Sequence, residues 1–543
     1  MTTNLSKERR DTLVAKINEI KGFIEHQQQD ENTINLLSYI NELEKEIKSK
    51  KYGLVYEEHK EEIDEILENN VPILKEEKDL FVDNGGQINF LIEGDNLACL
   101  QLLEKTHKGK VDLIYIDPPY NTGNKDFIYD DSFVDLNDAY RHSKWLSFMN
   151  KRLRIAKKLL SPSGVMFISI DDNEQAALKT LCDTIFGENR VEQYIWCLQD
   201  KTEGSFVKTA GLTVRKEHEY IIACFNSPNK HFKRYKGVRE FSEGSFSNPD
   251  NDPRGDWFSG NISRNGITST TGSKYYTITN PAGESFTRNW TLSKEEYEEA
   301  LKDNRIFFAK NGAGVPRLKI YKNADIELIQ SSLFNDVHTS ITGKNEIKKL
   351  FNGETPFNFP KNTFLINRLM TIAEESKDYT ILDFFAGSGT TGHAVMKMNA
   401  EDGGNRKFIL CTNNENNICK EITYERIKRA ITQETYQSSL KYMKVDFEPI
   451  TDKLYYEYAD NLLKHIKELV ELENAINFDN NNSIAIILTE EELDTLTSNI
   501  PTELETIYLG HDVLPTEEQE TIFKTKKIKI NIIPDYYYKG LEG

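Results

Sequence analysis

Two short motifs, each closing an apolar run, constrain this chain more than anything else in it. Val111-Asp-Leu-Ile-Tyr-Ile116 leads directly into Asp117-Pro118-Pro119-Tyr120, and Tyr379-Thr-Ile-Leu-Asp383 leads into Phe384-Phe385-Ala386-Gly387-Ser388-Gly389-Thr390-Thr391. Further apolar runs of strand length lie at 89–93, 164–170, 194–198, 219–225 and 407–411, separated by helix-spaced apolar residues such as Leu97, Leu100 and Leu103. Strands alternating with helices predict a mostly parallel α/β sheet. In such sheets ligands bind beyond the carboxyl ends of the strands, which is where both motifs fall.

The first motif is a clamp. Its two prolines fix φ near about −65° and remove two backbone donors, so their carbonyls stay rigidly aimed. A carboxylate beside such a carbonyl offers two acceptors, and an exocyclic NH₂ group has two donors to fill them. Tyr120 adds a flat face for stacking, which suits an amino base drawn out of a duplex. The plainer reading is a rigid turn with an aspartate cap. The second motif lets backbone approach a ligand closely. Gly387-Ser-Gly389-Thr-Thr-Gly392 also fits the dinucleotide pattern, with Glu415 as the acid some way further on, so this motif alone leaves a nicotinamide- or flavin-dependent oxidoreductase open. No Gly-Lys-Ser/Thr follows, which excludes a P-loop.

A chain of 543 residues predicts three or four units. Five segments are expected: a helical region over 1–82, an α/β part over 83–226, an insert rich in Gly, Asn and aromatics over 227–354, a second α/β part over 355–435, and a small α/β module over 436–543. Within the first, residues 6–80 read as helices from apolar residues such as Leu13, Ile17, Ile20 and Ile24. The six cysteines form no Cys-x-x-Cys pair, and neither a membrane-length apolar run nor a signal-peptide core is seen, so a reducing cytoplasm is expected. No cluster suggests a metal. The net charge of −19 speaks against a simple nucleic-acid coat, yet residues 201–240 hold nine Lys or Arg against four Glu, interleaved with aromatics.

Taken together, the two motifs resemble the β class of amino-methyltransferases, and within it the modification subunits of type III restriction–modification systems. Ile116-Asp-Pro-Pro-Tyr-Asn-Thr122, Asp126-Phe-Ile-Tyr129, Glu93-Gly-Asp-Asn96, Phe167-Ile-Ser-Ile-Asp-Asp-Asn-Glu174, Asp383–Thr391 and Gly404-Asn-Arg-Lys-Phe-Ile409 are all similar to that family, from about 85 to 430. The resemblance implies a circularly permuted, seven-stranded Rossmann-like methyltransferase sheet, with an inserted target-recognition domain and helical and α/β flanking modules. It implies S-adenosyl-L-methionine as cofactor, with its methionine end against Phe384, Phe385, Ala386, Gly387 and Gly389. Asp383 would meet its amino group, and Asp95 with Asn96 would lie at its adenine. Glu415 is the match to the ribose-binding acid, displaced from the usual place directly after the strand. Phe359-Pro-Lys-Asn362 is similar to the segment that closes on the cofactor.

Asp117, Pro118, Pro119 and Tyr120 would hold adenine for transfer to N6, an aspartate at the first position favouring adenine over cytosine N4. The insert would recognise double-stranded DNA, with Arg215, Arg239, Arg254, Arg264 and Arg317 as candidate contacts. Such subunits form homodimers and work with a separate helicase–nuclease subunit; a solitary regulatory methyltransferase would carry the same chemistry.

Overall fold

The apolar runs form one sheet because each is too hydrophobic to leave either face in water. In a computed structural model, the described residues are 5–26, 31–48, 56–123, 128–129, 132–133, 138–198, 216–228, 232, 235–237, 246–264, 270, 272–322, 326–328, 330–335, 337, 340–373, 376–450, 465–478, 481–510 and 513–533. The chain divides into two units, one of Met1–His231 with Ser332–Gly543, the other of Phe232–Ser331.

In the larger unit the main sheet is built from β1 (Asn70–Glu76), β2 (Gln87–Glu93), β3 (Val111–Ile116), β4 (Leu160–Ile170), β5 (Val191–Cys197), β6 (His218–Phe225), β7 (Leu333–Phe334), β8 (Thr380–Asp383), β9 (Lys407–Thr412) and β10 (Ser438–Pro449). They form a single mixed sheet in the order β1-β10-β2-β9-β8-β3-β4-β6-β5-β7. The run from β10 to β4 is parallel, and β6 lies antiparallel to both β4 and β5. Helices cover it: α1 (Asn96–His107), α2 (Arg141–Leu159), α3 (Gln175–Phe186), α4 (Ser340–Leu350), α5 (Thr363–Ala373), α6 (Thr390–Asp402), α7 (Glu425–Gln433) and α8 (Ile466–Asn474). Ile114 and Ile116 of β3 pack with Trp145, Met149 and Leu153 of α2 in a core from which water is excluded.

The sheet departs from the expected seven strands by carrying ten among the described residues. β1 and β10 extend one edge and β7 the other. β1 lies where helix was expected to continue to residue 80. Helices do occupy Leu5–Glu25, Glu31–Lys48 and Glu62–Asn69, but Pro72 cannot sit in a helix interior, and Val71-Pro-Ile-Leu74 pairs antiparallel with β10 as an edge strand instead. β10 in turn belongs to this sheet, not to the terminal module, so the boundary at 436 is too early. Beyond it, strands Ile484–Ile487, Thr506–Leu509 and Lys529–Ile532 form a small parallel sheet with helices Glu490–Ser498 and Glu517–Lys526, as the alternation in the sequence indicated.

The tail and the sheet are joined by a buried charge cluster. Lys441 of β10 is inaccessible and lies 2.6 Å from Glu471 of α8 and 3.0 Å from Glu76 of β1. Removing one partner of a buried ion pair leaves an uncompensated charge and costs about 3–5 kcal/mol. Lys441→Ala is therefore expected to lower the unfolding free energy by about that amount, measured by urea denaturation; a loss below about 1 kcal/mol, the ceiling for surface pairs, would show the cluster to be hydrated.

The second unit is antiparallel and narrower than the insert expected over 227–354. It holds a three-stranded sheet (Trp257–Asn261, Ile306–Phe308, Pro316–Tyr321), a hairpin (Tyr275–Thr279, Ser285–Asn289) and helix Lys294–Lys302 around a core of Ile262, Ile278, Trp290, Tyr297 and Ile306. Residues beyond 331 leave it because β7 pairs with β5 and α4 packs on α7 in the larger unit.

Candidate active site

β3 and β8 are adjacent parallel strands, with Ile381 beside Leu113 and Leu382 beside Ile114. Their carboxyl ends therefore deliver Asp117-Pro-Pro-Tyr120 and Asp383–Gly389 to the same edge, although 266 positions separate Asp117 from Asp383 in the sequence.

Asp117 is held through one oxygen. Its Oδ1 accepts from the Tyr120 hydroxyl at 2.9 Å and lies 3.1 Å from the Lys361 ammonium. Among the described residues no hydrogen bond reaches Oδ2. Lys361 spends its three protons on three acceptors: Asp117, the Tyr120 hydroxyl at 2.7 Å and Glu219 at 3.1 Å. Tyr120 also reaches Glu219, at 3.0 Å. Burial pushes the Asp117 carboxyl above the usual range; Lys361 pulls it part of the way back, and the Glu219 charge pushes it up again. Burial alone would lower Lys361, but the two carboxylates hold it above its ordinary value. The Pro119 carbonyl accepts from the Trp145 indole at 2.7 Å, which pins the turn to α2.

The glycine turn is equally determined. Gly387 and Gly389 have φ of +49° and +75°, left-handed values that only glycine adopts cheaply. A side chain on Gly392 would begin 2.8 Å from Ile427 and 3.1 Å from Leu410, so the third glycine serves close packing of α6 on its neighbours. Asp383 is buried, with its carboxylate accepting from the Phe385 amide at 3.0 Å and the Thr391 hydroxyl at 2.5 Å. Burial outweighs both bonds and pushes it up to about 7. Phe384 is inaccessible, Ala386 nearly so, and Phe385 sits against Phe148 with ring centres 5.8 Å apart. Buried Arg426 fixes Ser388 and Thr390 from behind, at 3.1 and 2.7 Å.

Asp95 caps α1, accepting from the Leu97 amide at 2.7 Å. Asn96 and Asp95 are both tied to Arg152, an inaccessible guanidinium that also binds Glu61 at 2.9 Å and stacks 3.7 Å over Phe148. Glu415 lies exposed in a 3-10 turn after β9, its carboxylate taken by Asn413 at 2.7 Å.

The candidate DNA contacts are Arg215, Arg239, Arg254, Arg264 and Arg317. Arg215 and Arg239 fall outside the described residues, as does most of the basic stretch 201–240. Arg254 is engaged within its own unit by Asp252, twice at 2.9 Å, by Asp303 at 3.1 Å and by the Tyr321 ring. Arg264 donates its amide to Asn289, and Arg317 is exposed on the three-stranded sheet.

Reading the sequence alone assigns no role to Lys361, Glu219 and Arg152. Lys361 stands in the quoted Phe359–Asn362 segment, and Arg152 carries a signal: a charge four residues from Phe148 on the apolar face of α2.

A family model described as DNA methylase matches residues 111–432, more than half of the chain. The chain is 36% identical over 384 residues to the type III restriction-modification enzyme StyLTI Mod subunit of Salmonella typhimurium, covering 65% of this chain and 57% of that protein. It is 34% identical over 380 residues to the type II methyltransferase M.KpnI of Klebsiella pneumoniae, covering 65% and 87%. It is 28% identical over 491 residues to the EcoP15I Mod subunit of Escherichia coli, covering 76% and 71%.

Proposed function

The chain belongs to the DNA methylase family, and from that premise we propose that it methylates the N6 amino group of adenine in double-stranded DNA, as the modification component of a type III-like restriction–modification system. The observation that carries this is the division of labour on Asp117. Its Oδ1 is occupied by Lys361 and Tyr120, and its Oδ2 has no hydrogen bond among the described residues. An amino group that donates one proton to Oδ2 and the other to the Pro118 carbonyl has its nitrogen lone pair turned out of that plane.

The residues of the neighbouring strand fit S-adenosyl-L-methionine. Two left-handed glycines bring backbone close, Asp383 is a buried carboxylate suited to an ammonium, and Asp95 with Asn96 stands two strands away beyond β9. When bound, that cofactor supplies an already activated methyl group, so the chain's task is positioning and exclusion of water. The order of the motifs along the chain, with the aspartate–proline half before the glycine half, supports a circularly permuted form of the methyltransferase sheet. The nicotinamide or flavin reading of the glycine run has no support in the family the chain matches.

Incubation with labelled S-adenosyl-L-methionine and unmethylated bacterial DNA, followed by digestion to nucleosides, tests the proposal. N6-methyladenine is the expected product. N4-methylcytosine would overturn the choice of base, and label on neither base would overturn the activity. Co-purification with a helicase–nuclease subunit would support the type III assignment over a solitary enzyme.

A further inference from the structure

Directly after Tyr120 stands Asn121, buried and at φ +56°, a left-handed conformation that costs a side chain energy unless something holds it. Its side-chain amide donates to Glu174 Oε1 at 2.6 Å and to the Arg141 carbonyl at 3.3 Å. Glu174 is inaccessible, stands at the N-cap position of α3 and takes His142 Nδ1 on the same oxygen at 2.6 Å. Arg141 and His142 open α2, the helix whose Trp145 grips the Pro119 carbonyl. The two-proline turn is thus stapled on both sides by side chains from other elements.

The cluster is costly. Burial pushes the Glu174 carboxyl up, Asn121 and His142 offsetting only part of it. Asn121 Oδ1, Arg141 Nη1 and Glu174 Oε2 are buried without hydrogen bonds among the described residues. Buried polar groups left short of partners are rare in folded proteins, and an arrangement of this kind persists where it fixes something.

We propose that Glu174, through Asn121, is a positioning residue for the methyl-transfer reaction: it locks the turn so that Asp117, Pro118 and Tyr120 present one geometry to the amino base. This rests on the methyltransferase reading above. The latch touches neither base nor cofactor; it sets where the groups that do so stand. A displacement of about 1 Å at a reacting centre costs up to roughly 100-fold in rate.

Asn121→Gly keeps the left-handed backbone and removes only the latch. Its kcat is expected to fall roughly 10- to 100-fold, with KM for the cofactor unchanged. Glu174→Ala should match it, and Glu174→Gln, which keeps the acceptor oxygen, should restore most of the rate. The double variant Asn121→Gly/Glu174→Ala should be no slower than the slower single one, because both break the same contact. Amide hydrogen exchange of the cofactor-free protein over residues 117–123 should quicken in Asn121→Gly and in Glu174→Ala alike. Wild-type kcat in Asn121→Gly, multiplied losses in the double variant, or a fall in kcat matched by an equal loss of cofactor affinity would each overturn the proposal. Should the wild-type chain transfer no methyl group at all, the methyltransferase reading fails. The exchange experiment still reports in that case, and unchanged exchange in both variants would remove the latch itself.

Discussion

Asp117→Ala is expected to abolish measurable methyl transfer while the protein still binds S-adenosyl-L-methionine as the wild type does. Removing one preorganised polar group from a reaction centre costs about 10²- to 10³-fold in rate, and Asp117 is more than one contact. It also anchors the Lys361 ammonium and the Tyr120 hydroxyl, so its loss releases the Tyr120 ring together with the proposed acceptor. Single-turnover transfer to DNA and calorimetric titration of the cofactor, run on the same preparation, separate the two effects. A variant that retained more than about a tenth of the wild-type rate, less than the cost of one such group, would show that the amine is held elsewhere. One that lost cofactor binding would place Asp117 on the wrong side of the site.

The second large effect concerns Asp383 and has opposite signs for stability and binding. Its folded pKa of about 7 lies above the ordinary aspartate value of 3.8. Between those values the folded state holds a proton that the unfolded state has released. Stability contributed by this group therefore falls as pH rises from about 4 to about 7, and stays low above that. Asp383→Asn removes the buried charge and can keep the bond from the Phe385 amide. At pH 8 the cofactor-free variant is expected to be more stable than the wild type by a few kcal/mol, on the order of 1.4 kcal/mol for each unit of displaced pKa. At pH 4 the difference should vanish. The same variant should bind S-adenosyl-L-methionine about 10- to 100-fold more weakly, the equivalent of one charged hydrogen bond of about 1.5–3 kcal/mol. Thermal melting across pH with and without cofactor reads both. A wild type whose stability rises between pH 4 and 7 relative to Asp383→Asn would mean that the carboxylate is already compensated inside the protein.

What could be read in the sequence were the features whose cause is local. A run such as Val111–Ile116 has to be a buried strand, and Asp117-Pro-Pro cannot continue it, so the strand end and its rigid carbonyls follow from neighbouring residues alone. Gly387 and Gly389 declare their backbone in the same way. What could not be read depends on partners far along the chain. Lys361 reaches Asp117 and Glu219 only because β3, β6 and the segment before α5 are assembled at one edge. Arg152 joins Asp95 and Asn96 to Glu61 from the middle of a helix whose apolar spacing says only that its face is covered. β1 was hidden for another reason: an edge strand of mixed polarity beside a helical region has a weak periodicity, and only its pairing with β10 makes it a strand.

In sequence, the smaller unit begins after β6 and ends before β7. It is one continuous stretch of sequence with its own core. A gene could therefore exchange that stretch at two seams and leave β3, β8 and the motifs they carry untouched. Chains of this build have a route to a different second unit by recombination of a single cassette, without any change to the strands that carry the two motifs.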